Sequence, residues 1–177
     1  MNKIALITGA TSGIGKATAI QFAQNNYHLI LTGRRNDRLV ALKNELSASF
    51  QTAILTLNFD VQDNEAVQNA LASLPADWKK IDVLVNNAGL SLGLDPIQSA
   101  NLADWEQMID TNVKGLLYVS KIVSNWMIEN KKGHIINIGS IAGKETYANG
   151  NVYCATKHAV DSLNKAMRLD LLTSGIR

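Results

Sequence analysis

The sequence predicts an α/β fold in which one parallel sheet is wound on both faces by helices. Two features predict it. Short, continuously apolar, β-rich runs alternate with longer segments whose apolar residues recur every three or four positions, and a glycine-rich turn joins the first run to the first helical segment. Runs that are apolar throughout, rather than alternating, belong to strands covered on both faces, and right-handed crossovers turn such an alternation into a doubly wound sheet.

In chain order the expected strands are Lys3–Thr8, His28–Thr32, Thr52–Asn58, Ile81–Asn86 and His134–Ile138. The expected helices are Ile14–Asn25, Arg38–Ser47, Asn64–Leu74, Leu102–Asn130 and Val152–Thr173, with Asp63 and Asn101 as N-caps because a short side-chain oxygen there can accept from free first-turn N–H groups. Both prolines, Pro75 and Pro96, fall in loops, and no repeat, linker or low-complexity tract divides the chain. Residues 1–177 read as one domain, and 46% hydrophobic content is enough for a sizeable core.

Composition narrows the function. Seventeen basic residues against fifteen acidic give a net charge of +2 with no dense basic run, which argues against a nucleic-acid partner and for a small-molecule substrate. No apolar run reaches the roughly 18 residues of a membrane span, and the N-terminal stretch MNKIALITGATSG has neither the long apolar core nor the cleavage site of a signal peptide. A cytoplasmic location is expected. The lone Cys154 is expected to pack rather than react, Trp78, Trp105 and Trp126 to pack on helices, and His28, His134 and His158 have no metal-ligand spacing.

The first strand runs into TGATSGIGKATAIQFA, which sets Gly9, Gly13 and Gly15 at a strand-to-helix turn. Glycine permits left-handed backbone and lets main-chain N–H groups approach an anion, while the following helix adds the positive end of its dipole. The spacing is GxxxGxG rather than GxGxxG, so the position after strand one and before a helix carries as much weight as the pattern. At the end of the second strand stand Gly33, Arg34 and Arg35, where an NAD site would place an acid for the ribose 2′-hydroxyl. Guanidinium groups there suit a 2′-phosphate and favour NADP. Asp37 is the acid that could take the other role, although it lies late enough to cap the next helix.

Near the C-terminus, NVYCATK puts the Tyr153 hydroxyl one helical turn before the Lys157 ammonium. Alone, such a pair is more often a solvated helix face than a site. Its company changes that reading. TGATSGIG, NFDV, NNAG, TNVKG, INIGS and YCATK follow one another at spacings that resemble the short-chain dehydrogenase/reductase family. Within it the double arginine, LASLPADWKKIDVLVNNAGLSLGLDP, DWEQMIDTNVKGL and GHIINIGSIAGKETYANGNVYCATK resemble the NADP-dependent 3-hydroxy acid dehydrogenases that oxidise L-allo-threonine or serine. The resemblance covers essentially the whole chain and implies a Rossmann fold and hydride transfer between NADP(H) and a small 3-hydroxy acid or its keto or semialdehyde partner.

The resemblance also implies roles. Tyr153 is the expected acid/base, with Lys157 favouring its anion and hydrogen bonding the nicotinamide ribose, Ser140 holding the substrate oxygen, and Asn112 positioning a backbone carbonyl and a water for proton exchange. A phenol has a reference pKa of about 10, so work near neutral pH needs about 4 kcal/mol of preferential anion stabilisation, for which a nearby ammonium is a source. Cofactor contacts are expected from Gly9, Thr11, Ser12, Gly13, Ile14 and Gly15, from Arg34 and Arg35, from Asp60 and Val61 at the adenine, from Asn87, Ala88 and Gly89 along the ribose, and from Tyr153 and Lys157. A homotetramer built on helices Leu102–Asn130 and Val152–Thr173 is implied, with Leu116, Val119, Val123, Val160, Leu163 and Met167 as the apolar positions to divide between sheet and partner.

One departure stands out. Gly175-Ile176-Arg177 reads as a turn and the first residues of a sixth strand, where the family continues with two further strands and a substrate-closing helix pair. The chain is therefore expected to be C-terminally incomplete, with the last family strands missing and an unpaired edge on strand five. The alternative function is a catalytically incomplete NADP-binding sensor or interaction module.

Overall fold

In a computed structural model, which describes residues 3–177, five strands form one parallel sheet in the order β3-β2-β1-β4-β5. The strands are β1 (Ile4–Ile7), β2 (His28–Gly33), β3 (Ile54–Asn58), β4 (Val83–Asn86) and β5 (His134–Asn137). The helices are α1 (Gly13–Gln24), α2 (Asn36–Ser49), α3 (Asn64–Ala72), α4 (Leu102–Ile109), α5 (Leu116–Asn130) and α6 (Asn151–Asp170). The expected doubly wound α/β class is the one observed.

The alternation of side chains along each strand divides the core in two. Leu6, Ile30 and Leu84 face Val67 and Leu71 of α3 and Val119, Val123 and Met127 of α5. Ala5, Ile7, Leu29 and Leu31 face Ala19 and Ala23 of α1 and Leu39, Leu42 and Leu46 of α2. Each such Leu, Ile or Val, fully withdrawn from water, contributes about 1.5–3 kcal/mol of transfer free energy. Cys154, on α6, is a buried free thiol.

Both expected N-caps form. The Asp63 side chain accepts from the Ala66 N–H at 3.0 Å and that of Asn101 from the Ala103 N–H at 3.0 Å. Helix α2 starts earlier than expected, at Asn36, and takes Asp37 into its first turn, where a carboxylate suits the dipole. The segment expected as one helix, Leu102–Asn130, is interrupted by a π-helical turn over Asp110–Gly115. Its cause is tertiary: the Asn112 side chain is held from outside the helix, and a single wide turn lets it point there without breaking the rod.

Strand β5 is only partly buried, unlike β1 and β4. Beyond it, Ile176 bridges Gly133 in parallel, and the Ile135 N–H donates to the Arg177 carbonyl at 2.7 Å. Gly175, at φ 78°, makes the turn into this contact, so the expected start of a sixth strand forms. A groove of about 610 Å³ runs along the remaining edge, lined by Ile136, Asn137, Met167 and Leu171 among others. Among the described residues, no helix is long and apolar enough to cross a membrane.

Candidate active site

Because all five strands are parallel, their C-terminal ends open on the same side, and the chain order reverses between β1 and β4. That reversal point is where open α/β sheets bind ligands. A cleft of about 620 Å³ lies there, and every strand contributes the residues that follow it to its wall. Gly9, Thr11, Ser12, Gly13 and Ile14 follow β1, Arg34 and Arg35 follow β2, Asp60 and Val61 follow β3, and Asn87, Ala88 and Gly89 follow β4. Tyr153 and Lys157 close it from α6.

The turn after β1 owes its shape to two left-handed glycines, Gly9 at φ 65° and Gly13 at φ 53°. A β-carbon on Gly9 would come within 2.9 Å of the Ala88 Cα, so the two loops meet backbone to backbone, whereas Gly13 has open space beside it. Gly15 does not line the cleft. It is buried beneath the turn, where a β-carbon would run into the Gly9 carbonyl, so its part is to let α1 seat against β1.

Thr8 joins these loops, a residue to which the motif pattern assigns no such role. Its Oγ1 accepts from the Asn87 and Ala88 N–H groups, both at 3.0 Å, while Asn87 Nδ2 donates back to the carbonyls of Thr8 at 2.9 Å and Gly9 at 3.1 Å. A threonine ending a buried strand before a glycine turn is the one sequence signal that points to it.

The two arginines take different partners. Arg35 Nη2 donates to Thr11 Oγ1 at 2.7 Å and Ser12 Oγ at 3.1 Å, placing a guanidinium and two hydroxyls around one edge of the cleft. Arg34 Nη1 instead lies 3.3 Å from Asp60 Oδ2, and Asp60 Oδ1 accepts from the Gln62 N–H. Asp37 is not among the lining residues. The edge is cationic and rich in donors, as an anion requires.

On α6, Lys157 is 8% exposed, and burial lowers its ammonium pKa from the usual value. Its Nζ donates to the Ile138 carbonyl at 2.9 Å and stands 6.0 Å from the centre of the Tyr153 ring. A poorly hydrated cation gains more from a neighbouring anion than a solvated one does. Ser140 follows Gly139, a lining residue, but is not itself part of the cleft wall. Its Oγ accepts from the Ala142 N–H at 3.1 Å, which leaves its O–H free to donate outward.

Asn112 lies behind the wall, 2% exposed. Its Oδ1 accepts from the Leu90 N–H at 2.8 Å, and its Nδ2 donates to the Leu90 carbonyl at 2.8 Å and Thr156 Oγ1 at 3.1 Å. The carboxamide thereby ties the π turn to the loop after β4 and to the helix that carries Tyr153 and Lys157. Gly89 sits between: a β-carbon there would be 3.2 Å from Asn112 Oδ1 and 3.8 Å from Lys157 Nζ. Thr156, within the YCATK motif but given no role by it, passes the link on to the Tyr153 carbonyl at 2.8 Å.

Comparison with known proteins agrees with this arrangement. The family model described as short chain dehydrogenase matches residues 3–177. An NADP-dependent 3-hydroxy acid dehydrogenase of Salmonella typhi is 51% identical over 174 residues, covering 98% of this chain and 68% of the relative. Sulfoacetaldehyde reductase 2 of Chromohalobacter salexigens is 46% identical, with 100% of this chain and 70% of the relative covered. Among solved structures, the closed form of serine dehydrogenase complexed with NADP+ superposes with a TM-score of 0.91 at 49% identity, covering 98% of this chain and 68% of that one. A family model matched over residues 3–177, joined to relatives at about half identity and a TM-score of 0.91, means that the protein belongs to the short-chain dehydrogenase family.

Proposed function

We propose that the protein is an NADP-dependent oxidoreductase acting on a small 3-hydroxy acid of the serine, allo-threonine or 3-hydroxypropionate type, or on its keto or semialdehyde partner. The observation that carries this reading is the pairing, in one cleft, of Tyr153 and Lys157 at one end with Arg35, Thr11 and Ser12 at the other. The names of the relatives support the substrate class: a 3-hydroxy acid and sulfoacetaldehyde both place the reacting carbon two bonds from the carbon or sulfur of an anionic group.

The residues present fit a phosphorylated dinucleotide. The left-handed glycine turn offers main-chain N–H groups beside the N-terminus of α1, and the Arg35 edge offers a planar donor set for a 2′-phosphate. NADPH, when bound, supplies the hydride. The chain's own residues manage the oxygen. Tyr153 gives its hydroxyl proton to the carbonyl oxygen as that oxygen gains charge, and the free O–H of Ser140 donates to the same atom. Lys157, held by the Ile138 carbonyl, stabilises the tyrosinate that remains. Asn112 and Thr156 keep the helix in register with the loop after β4.

The same reading takes residues 1–177 as one NADP-binding unit that works in the cytoplasm and assembles, in its full-length form, as a homotetramer. NADPH consumption with malonate semialdehyde, or NADP+ reduction with serine, tests it. Tyr153→Phe is expected to abolish turnover while leaving NADPH affinity within about threefold, because it removes the proton and little contact area. Retained turnover in that variant would overturn the assignment. NADPH binding by the wild-type protein with no turnover of any 3-hydroxy or 3-oxo acid would favour the cofactor-sensing alternative.

A further inference from the structure

The adenosine end of the cleft rests on Val61, and what Val61 rests on is not part of the cleft at all. Gly115, the last residue of the π turn, is buried against it. A β-carbon at residue 115 would stand 2.7 Å from Val61 Cγ2, 2.8 Å from Val61 Cβ and 3.0 Å from the Val61 carbonyl oxygen. Rotating the valine side chain relieves only the first of these. The other two atoms are fixed to the backbone, so a larger residue at 115 must move either the Phe59–Val61 segment or the π turn itself.

The two sides are not equally held. The π turn is pinned through Asn112, whose buried carboxamide makes three hydrogen bonds, at 2.8, 2.8 and 3.1 Å, to Leu90 and Thr156. The segment after β3 is packed into the core at Phe59 and Val61, but its polar anchors are longer, more exposed or local, as where Asp60 Oδ1 accepts from the Gln62 N–H at 3.1 Å. The Phe59 N–H reaches the Gly33 carbonyl at 3.3 Å, and Asp60 pairs with the exposed Arg34 at 3.3 Å. Strain introduced at residue 115 therefore moves Val61 and leaves Asn112 in place.

We propose that Gly115 is a positioning residue for the adenosine half of the cofactor, setting through Val61 the depth of that end of the cleft. This rests on the NADP reading above. Gly115→Ala should raise the NADPH dissociation constant, read by fluorescence titration, about tenfold, the cost of a modest overpacking. The inhibition constant of adenosine 2′,5′-bisphosphate, which carries only the adenosine half, should rise by the same factor, while kcat at saturating NADPH stays within about twofold. In Val61→Gly/Gly115→Ala the methyl group occupies the space that the valine side chain leaves, and at least half of the lost affinity on a logarithmic scale should return.

An unchanged NADPH constant in Gly115→Ala overturns the proposal, as does a fall in kcat with unchanged affinity, which would put the strain on Asn112. Should Gly115→Ala fail to fold, the double variant must fold and bind, and its failure counts against the proposal equally. Failure of the wild-type protein to bind NADPH would instead sink the cofactor reading, which separates the two.

Discussion

At the scale of single residues, Lys157 shows function set against stability. Burial lowers its pKa, so between the folded and unfolded values the unfolded chain binds more protons, and stability rises with pH through that window and carries a penalty below it. Lys157→Met removes the penalty, so the variant is expected to melt no lower than the wild type at pH 7 while turnover falls at least about 100-fold. Calorimetry beside an NADPH assay checks both halves, and a clear loss of melting temperature would mean that the ammonium stabilises the fold. The arginines separate in the same way. Arg35→Ala should weaken NADPH by more than about tenfold and NADH little, since Arg35 and not Arg34 is the one gathered with Thr11 and Ser12. Equal losses for both cofactors would remove Arg35 from the phosphate.

Asp161, whose pKa is also lowered, gives a pH dependence of the same sign but in the acid range, and as a stabilising contribution rather than a penalty. It accepts from Lys144, in the loop after Ser140, and from Lys165, each at 2.7 Å, and these ammonium groups lower its pKa to about 2. The contribution is present above the ordinary carboxylate value and is lost as pH falls from about 4 towards 2. The carboxylate is 31% exposed, so salt screens it. Asp161→Asn should therefore melt slightly below the wild type at pH 7 in low salt, with the difference shrinking in 0.5 M NaCl and at pH 3; a gap indifferent to both would remove the ion pair as its cause.

At the scale of elements, the strands were legible because a parallel strand buried on both faces is written as an unbroken apolar run. Caps were legible because Asp63 and Asn101 act within three residues of themselves. Asp63→Ala should cost about 1 kcal/mol, a fall of roughly 2–4 °C in melting temperature for a chain of this size. No loss would show that α3 is held by Val67 and Leu71 alone. The π turn was not legible, because what produces it is the distant partners of Asn112, Leu90 and Thr156, and the periodicity of Leu102–Asn130 reads as one continuous helix. Nor was the true place of Gly15, since a motif marks glycines without saying which face the ligand and which face the next helix.

At the scale of the whole molecule, the apolar positions that the sequence offered for assembly turn out to be divided. Leu116, Val119, Val123 and Val160 are buried in the chain's own core, Leu163 and Met167 are half-buried, and the exposed large apolar residues of the same helices are Leu117, Ile128 and Leu169. If α5 and α6 pair with their counterparts in a four-helix contact, those outward residues form it. Light scattering on the full-length protein should give a tetramer, and Leu117→Glu/Ile128→Glu should dissociate it; a wild-type monomer at micromolar concentration would refute the assembly.

By itself the sequence determined the class of fold, the family, and the identity of the residues around the cleft, because periodicity and motif spacing are local properties of a chain. Only the tertiary structure decided which of those residues meet. It set Arg35 with the turn hydroxyls and Arg34 with Asp60, moved Gly15 out of the wall, brought Thr8 and Thr156 in as connectors, and put Gly115 against Val61. Apart from that of Gly15 with Gly9, these are contacts between residues far apart in the chain, fixed by the packing of helices on a sheet whose strand order no local pattern records.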